Sequence, residues 1–179
     1  MRKIGLSLLF ILSVSLGMAQ VNKVHLSGGY TLANIDDSDL SGDGWRINGK
    51  YEYQPIGTLI SYGLSIGYMS VSTEETNAKY TVNVVPIYFN PRLYFREGKM
   101  KPFLQGALGF HMSNQKREGT LGSVKSNDSG VTLGAGAGTI YSLNDQLFLN
   151  LEYELLYLAN GFYKNNLTNS FNLGIGVKF

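Results

Sequence analysis

The chain has 179 residues, of which 44% are hydrophobic and 16% charged, with a formal net charge of +2 and no cysteine. Typical soluble domains contain about 25% charged residues, so this chain is poor in charge. The near-neutral balance argues against nucleic acid as a partner, and the lack of cysteine excludes disulfide bridges and thiolate metal sites.

The first predicted element is a cleavable export signal over residues 1–19. Two basic residues precede an apolar run over residues 4–16, and small residues stand at the −3 and −1 positions of a cleavage site after Ala19. The run is shorter than the about 20 residues that a spanning helix needs, which disfavours a retained anchor. Removing 19 residues leaves one predicted domain of 160, residues 20–179, with 13 basic and 13 acidic side chains.

The predicted mature domain contains eight segments in which apolar and polar residues alternate. A period of two is typical of β-strands with one apolar face, and no long window has helical periodicity. The fold class is therefore predicted to be all-β. The predicted strands are 23–33, 45–54, 58–70, 79–95, 102–112, 131–141, 147–158 and 170–179.

The last segment has the clearest pattern. From Ser170 to Phe179 every odd position is apolar and every even one is small or polar. Together with an export signal, an alternating strand that ends on an aromatic residue indicates the closing strand of an outer-membrane barrel. We expect the barrel-assembly machinery to recognise this strand through Phe179.

The connections between predicted strands alternate in length. Those at 34–44, 71–78, 113–130 and 159–169 are long and polar, whereas those at 55–57, 96–101 and 142–146 are short. Outer-membrane barrels have short periplasmic turns, long outside loops and an even strand number. The prediction is an eight-stranded antiparallel up-and-down transmembrane β-barrel, in the outer membrane of a Gram-negative bacterium.

A soluble lipocalin-like barrel is the alternative. Its water-facing side chains would be charged, whereas the polar faces here are mostly Gly, Ser, Asn and Thr. Aromatic residues near the strand ends also favour a membrane barrel, because such barrels carry aromatic girdles at both lipid–water interfaces. The predicted interface aromatics are Tyr30, Trp45, Tyr68, Phe110 and Tyr157 on the loop side, and Tyr53, Phe95, Tyr141 and Phe179 on the turn side.

Charged residues within the strands are predicted to face inward, because Arg or Lys at mid-membrane on the lipid face costs about 2–4 kcal/mol. The inward set is Arg46, Lys50, Glu52, Arg92, Glu152 and Glu154. Strand directions put Lys50 at the depth of Glu152, and Arg46 near Glu154. We hypothesise an interior salt-bridge network that plugs the lumen; a small gated pore is the alternative.

Residues 85–95, 98–99 and 101–109, with the terminal strand, resemble small eight-stranded outer-membrane barrels of the OmpX-like and OmpA-transmembrane-domain-like kind among porin-family proteins. The resemblance implies the fold and an outer-membrane location. Members are variously linked to adhesion, envelope integrity and small pores, so the resemblance leaves these roles open.

Two histidines are candidates for chemistry. His25 is predicted to be a satisfied interior side chain. The run His111-Met112-Ser113-Asn114 resembles the His-x-Ser-Asn motif of lipid A deacylases, which implies a histidine base and a serine nucleophile. That motif is close to the C-terminus in the family, and here Lys125 stands where the family has an acid. We therefore predict no enzymatic activity.

The acidic residues Asp36, Asp37, Asp39, Glu74 and Glu75 could gather into a rim that binds Ca²⁺ or Mg²⁺ between lipopolysaccharide molecules, or form a solvated loop. We predict no cofactor and no metal site. The expected protein is a monomer in contact with outer-membrane lipid and lipopolysaccharide, with a role in envelope integrity or in adhesion to an unknown extracellular ligand at its loops.

Overall fold

A computed structural model describes residues 20–35, 41–75, 78–119, 122–159 and 162–179, without the side chains of Gln20 and Glu75. The strands are β1 (Gln20–Ile35), β2 (Ser41–Pro55), β3 (Ile60–Glu75), β4 (Ala78–Tyr94), β5 (Met100–Gly119), β6 (Gly122–Ser142), β7 (Leu147–Leu158) and β8 (Tyr163–Lys178). Each strand pairs with its sequence neighbours and β8 pairs with β1, so the sheet is a closed barrel. This confirms the predicted eight-stranded antiparallel architecture. The predicted signal peptide lies outside the described residues.

The strand register fixes the shape of the barrel. Following the register from Lys23 once around the eight strands leads back to Ala33 on the same strand, a stagger of ten residues. Eight strands with a stagger of this size tilt by about 35–45° from the barrel axis and enclose an interior that side chains fill. At the closing seam, the backbones of Asn22 and Phe179 exchange two hydrogen bonds of 2.9 Å.

The outer surface of the barrel is apolar at mid-height. Leu26, Leu64 and Leu173 are 59%, 58% and 61% exposed, as expected for side chains that face lipid. All nine predicted interface aromatics also point outward from the barrel wall. On the loop side, Tyr30 pairs with Trp45, and the Trp45 ring lies 5.3 Å from that of Tyr68.

The strands are longer than the sequence pattern predicts. The prediction of a loop over residues 113–130 is wrong in large part. Strand β5 continues to Gly119, β6 begins at Gly122, and the two pair as a hairpin. The other three predicted outside loops are shortened in the same way. The outward residues of these segments are mostly polar because the strands rise beyond the bilayer, which a tilted strand crosses in about 9–11 residues. The polar residues that predict loops in these segments are therefore a sign of contact with water and not of chain turns.

The run Val84-Val85-Pro86 breaks the apolar–polar alternation of the sequence, but it does not interrupt β4. Val84 is buried inside the barrel and Val85 is half-buried on the outside, so alternation continues through Pro86. The only local change is that pairing with β3 pauses between Ile87 and Val84, where proline has no N–H to donate.

Among the residues that the structure describes, no helix combines the length and the apolar character needed to span a bilayer.

Candidate functional site in the barrel interior

The lower part of the interior, toward the short turns, is organised around the Glu52 carboxylate. Glu52 accepts hydrogen bonds from Lys23, from the Tyr94 hydroxyl at 2.6 Å and from Arg92 Nη1 at 3.0 Å. All four residues are at most 1% exposed. Lys23 was not among the predicted interior charges, although its position beside the outward Val24 indicates that it faces inward.

The middle of the interior is organised around Glu152. Lys50 Nζ lies 3.2 Å from both carboxylate oxygens, and Arg92 Nη2 contacts one of them. Arg92 therefore bridges Glu52 and Glu152. The Gln105 side-chain oxygen accepts hydrogen bonds from Arg92 Nε at 2.8 Å and from Lys50 Nζ at 3.2 Å, which fixes both cations.

Glu154 forms the upper part of the same network. Its carboxylate pairs with Arg46 and accepts hydrogen bonds from the Tyr88 hydroxyl at 2.9 Å and Gln105 Nε2 at 3.0 Å. The other terminal nitrogen of Arg46 donates to the Tyr88 hydroxyl at 2.6 Å. The six predicted interior charges are thus joined, through Gln105, into one continuous network.

Two apolar clusters pack against this network, and sequence reasoning predicted neither. The lower cluster consists of Tyr94, Phe103, Ile140 and Phe148. The upper cluster, toward the loop end, includes Met69, Val71, Val82, Val84, Leu156, Leu158, Phe162 and Tyr163. Gly138 makes room below, because a Cβ there would lie 2.7 Å from the Phe103 ring. The Phe103 ring in turn lies 4.1 Å from the Arg92 guanidinium.

His25 differs from its prediction. It faces inward and is 2% exposed, but neither ring nitrogen has a hydrogen-bond partner among the described residues. The register explains this: His25 lies opposite Lys50, whose ammonium donates to other groups, and Gly176, which has no side chain. Its ring instead packs edge-on against Phe148 at 5.8 Å.

The deacylase-like residues lie on the inner wall near the loop end. His111 and Ser113 are 1% and 5% exposed. His111 Nδ1 lies 3.1 Å from Thr132 Oγ1, and the Ser113 hydroxyl donates to the backbone oxygen of Asp128 at 3.1 Å. A lipid substrate would sit outside the wall, where neither side chain points. This placement does not favour hydrolysis of a membrane lipid.

Only part of the acidic rim considered from the sequence lies among the described residues. Asp36, Asp37 and Asp39 lie outside the described residues, as does the Glu75 side chain. Glu74 pairs with Lys79, whose ammonium lowers the pKa of the Glu74 carboxyl from its usual value. Within the described ranges, no group of three or more His, Asp or Glu side chains could hold a metal ion.

Comparisons with known proteins agree with this architecture. Residues 4–179 match the family of the outer membrane protein beta-barrel domain. No curated protein sequence matches the chain. Among solved structures, Neisserial surface protein A is similar with a TM-score of 0.66 and 17% identity, covering 88% of this chain and 97% of that one.

Two other solved structures have a similar fold. Ail, the attachment invasion locus protein of Yersinia pestis, solved with the heparin analogue sucrose octasulfate, has a TM-score of 0.62 and 18% identity over 90% of this chain and 100% of its own. The outer membrane enzyme PagL has a TM-score of 0.50 and 15% identity over 87% and 98%. At these identities the likeness concerns the fold. With the family match over nearly its whole length, the chain belongs to the outer membrane protein beta-barrel domain family and is a bacterial outer-membrane barrel.

Proposed function

We propose that this protein is a non-conducting, non-enzymatic barrel that anchors an extracellular extension of its strands, acting in surface attachment or envelope integrity. The observation that carries the proposal is the closed interior, in which a paired charge network packs against two apolar clusters.

The layered interior argues against the alternative of a small gated pore. An ion entering from the loop end would have to pass the upper apolar cluster, which excludes water, and then separate buried ion pairs. Met69, Val71, Leu156 and Leu158 in the upper cluster are all 0% exposed. Opening a path would therefore require repacking of the core rather than movement of one side chain.

The extended strands supply the surface for an extracellular role. Binding residues in barrels of this kind are carried by the parts that project from a rigid scaffold. The paired hairpin of β5 and β6 is the longest such projection among the described residues. Ail, an attachment protein by its name, supports a binding role by analogy, and its complex with a heparin analogue suggests extracellular ligands for barrels of this size.

The first test is electrical. The full mature protein in a planar lipid bilayer is expected to give no resolved conductance steps, because the lumen is closed. The contradictory result is stepwise conductance that changes when Arg46→Gln and Glu154→Gln are introduced, since that would place the ion path through the network.

The second test separates the two candidate roles. Replacing residues 117–124 with an Asn-Gly turn should leave the barrel intact, because a two-residue turn can join the opposed Lys116 and Lys125. In a strain that lacks the native gene, an attachment role predicts that cell attachment is impaired and that this variant does not restore it. An envelope role predicts full restoration of detergent resistance by the shortened protein. If neither property depends on the protein, the proposal is wrong.

A further inference from the structure

On the outer wall formed by β4, β5 and β6, the outward side chains change from apolar to amide to basic with increasing height above the aromatic residues of the loop side. In each step one residue from each strand lies in register with the other two. From the bilayer outward, the steps are Ile87, Phe110 and Val131; then Val85, Met112 and Ser129; then Asn83, Asn114 and Asn127; then Thr81, Lys116 and Lys125.

We propose that this wall binds the phosphorylated sugar headgroup of an outer-leaflet glycolipid. We name the residues concerned the asparagine–lysine face: Asn83, Asn114, Asn127, Lys116 and Lys125. The site is independent of the proposed attachment role, because the shortened hairpin described above retains all five residues.

The height of the face suits a glycolipid headgroup. A strand tilted by about 40° rises about 2.5 Å per residue along the barrel axis. Asn114 is four residues beyond Phe110 and Lys116 is six, so they stand about 10 and 15 Å above the aromatic level. The headgroup region extends about 5–8 Å beyond the hydrocarbon core, and a glycolipid adds sugars above that. The asparagines would therefore meet sugar rings.

The face also contains a groove. A cavity of about 530 Å³ opens between Tyr68, Met112 and the asparagines; Asp128 also lines it, and the two lysines stand one step above it. Asn114 Nδ2 donates to Asn127 Oδ1 at 2.6 Å, and the Tyr68 hydroxyl donates to Asn83 Oδ1 at 2.9 Å. Each amide group has two N–H donors and one carbonyl acceptor, so these contacts orient the side chains and leave bonding capacity for sugar hydroxyls.

The two lysines indicate that the ligand is anionic. Lys116 lies directly opposite Lys125 on the same outward face, an arrangement of like charges that is unfavourable in an antiparallel pair. Glu118 pairs with Lys116, whereas Lys125 has no ion pair among the described residues. A phosphate between the two ammonium groups would turn this repulsion into charge-assisted hydrogen bonds.

The three asparagines favour a glycolipid over other anionic ligands. A phospholipid or inorganic phosphate could satisfy the lysines, but neither would need three uncharged amides in register below them. A phosphorylated sugar on acyl chains matches all of the steps together, because its chains would lie against Val85 and Phe110.

The test uses the full mature protein refolded in neutral detergent micelles, with lipid binding measured by native mass spectrometry. The probes are bisphosphorylated lipid A, dephosphorylated lipid A, phosphatidylglycerol and inorganic phosphate. One variant combines Lys116→Ala with Lys125→Ala, and a second combines Asn83→Ala, Asn114→Ala and Asn127→Ala. Lys99→Ala, at the opposite end of the barrel, is the matched control, and heat-dependent gel mobility verifies folding.

The lysine variant is expected to lose at least tenfold in affinity for bisphosphorylated lipid A and little for the dephosphorylated form. The asparagine variant should lose at least fivefold for both forms, and Lys99→Ala should bind as wild type does. Wild-type affinity in the folded lysine variant would overturn the proposal. So would equal competition by phosphatidylglycerol or inorganic phosphate, because the face would then recognise phosphate alone.

Discussion

Replacing Glu154 with leucine is expected to destabilise the folded barrel by about 3–5 kcal/mol. Arg46 is 1% exposed, and Glu154 is its carboxylate partner. Without it, a guanidinium remains buried beside the Tyr88 hydroxyl, which cannot neutralise it. Urea unfolding of the full mature chain in phosphocholine vesicles, followed by the fluorescence of the only tryptophan, Trp45, measures the change.

Two variants test whether the loss comes from the buried charge. Combining Glu154→Leu with Arg46→Met removes both charges, and most of the lost stability should return, because apolar replacements of buried ion pairs are often neutral. Glu74→Gln breaks the pair with Lys79, whose side chains are 70% and 47% exposed, and should leave the unfolding midpoint unchanged. If the double variant is no more stable than Glu154→Leu, the two side chains are not coupled.

Each carboxylate of the network has several hydrogen-bond donors, which explains how charge can be held in a closed lumen, although Arg46 Nε has no hydrogen-bond partner among the described residues. Each of the three buried carboxylates receives hydrogen bonds from at least three side chains, so none depends on one partner. Paired buried groups of this kind rigidify a core. Among the described side chains buried in the barrel, four cations face three carboxylates, with Lys23 as the additional cation near the turn end.

The fold could be predicted because the alternation of apolar and polar residues within each strand shows which side faces lipid. On β3, Leu64 and Ile66 are 58% and 57% exposed while Ser65 between them is 0% exposed, and β8 repeats this pattern. A period of two needs no distant information. The closed eight-stranded barrel and the family match confirm the prediction of fold and location.

The upper apolar cluster could not be predicted in the same way. Val82 and Val84 face inward on a strand whose outward Val85 is also apolar, so the local pattern reads as an interruption. A segment that is apolar on both faces has no alternation to detect. Phe162 and Tyr163 enter the cluster from beyond the end of β7, which only the folded chain brings into contact with it.

The second large effect is expected on the lipid face. Leu151 is 57% exposed on the outside of β7, opposite Leu173, and lies near mid-membrane depth. Leu151→Arg should destabilise the barrel by about 2–4 kcal/mol, because the guanidinium would face hydrocarbon. The same urea titration in vesicles measures it.

The matched control lies on the same strand and the same face. Leu147 begins β7 at the turn end, opposite Val177, where a guanidinium can reach water. Leu147→Arg should therefore cost only about 0–1 kcal/mol. The difference between the two positions reports depth, since the introduced side chain is identical. Equal losses at both positions would mean that β7 does not cross the bilayer with Leu151 at its centre, and a milder effect at Leu151 would contradict the outward register of the strand.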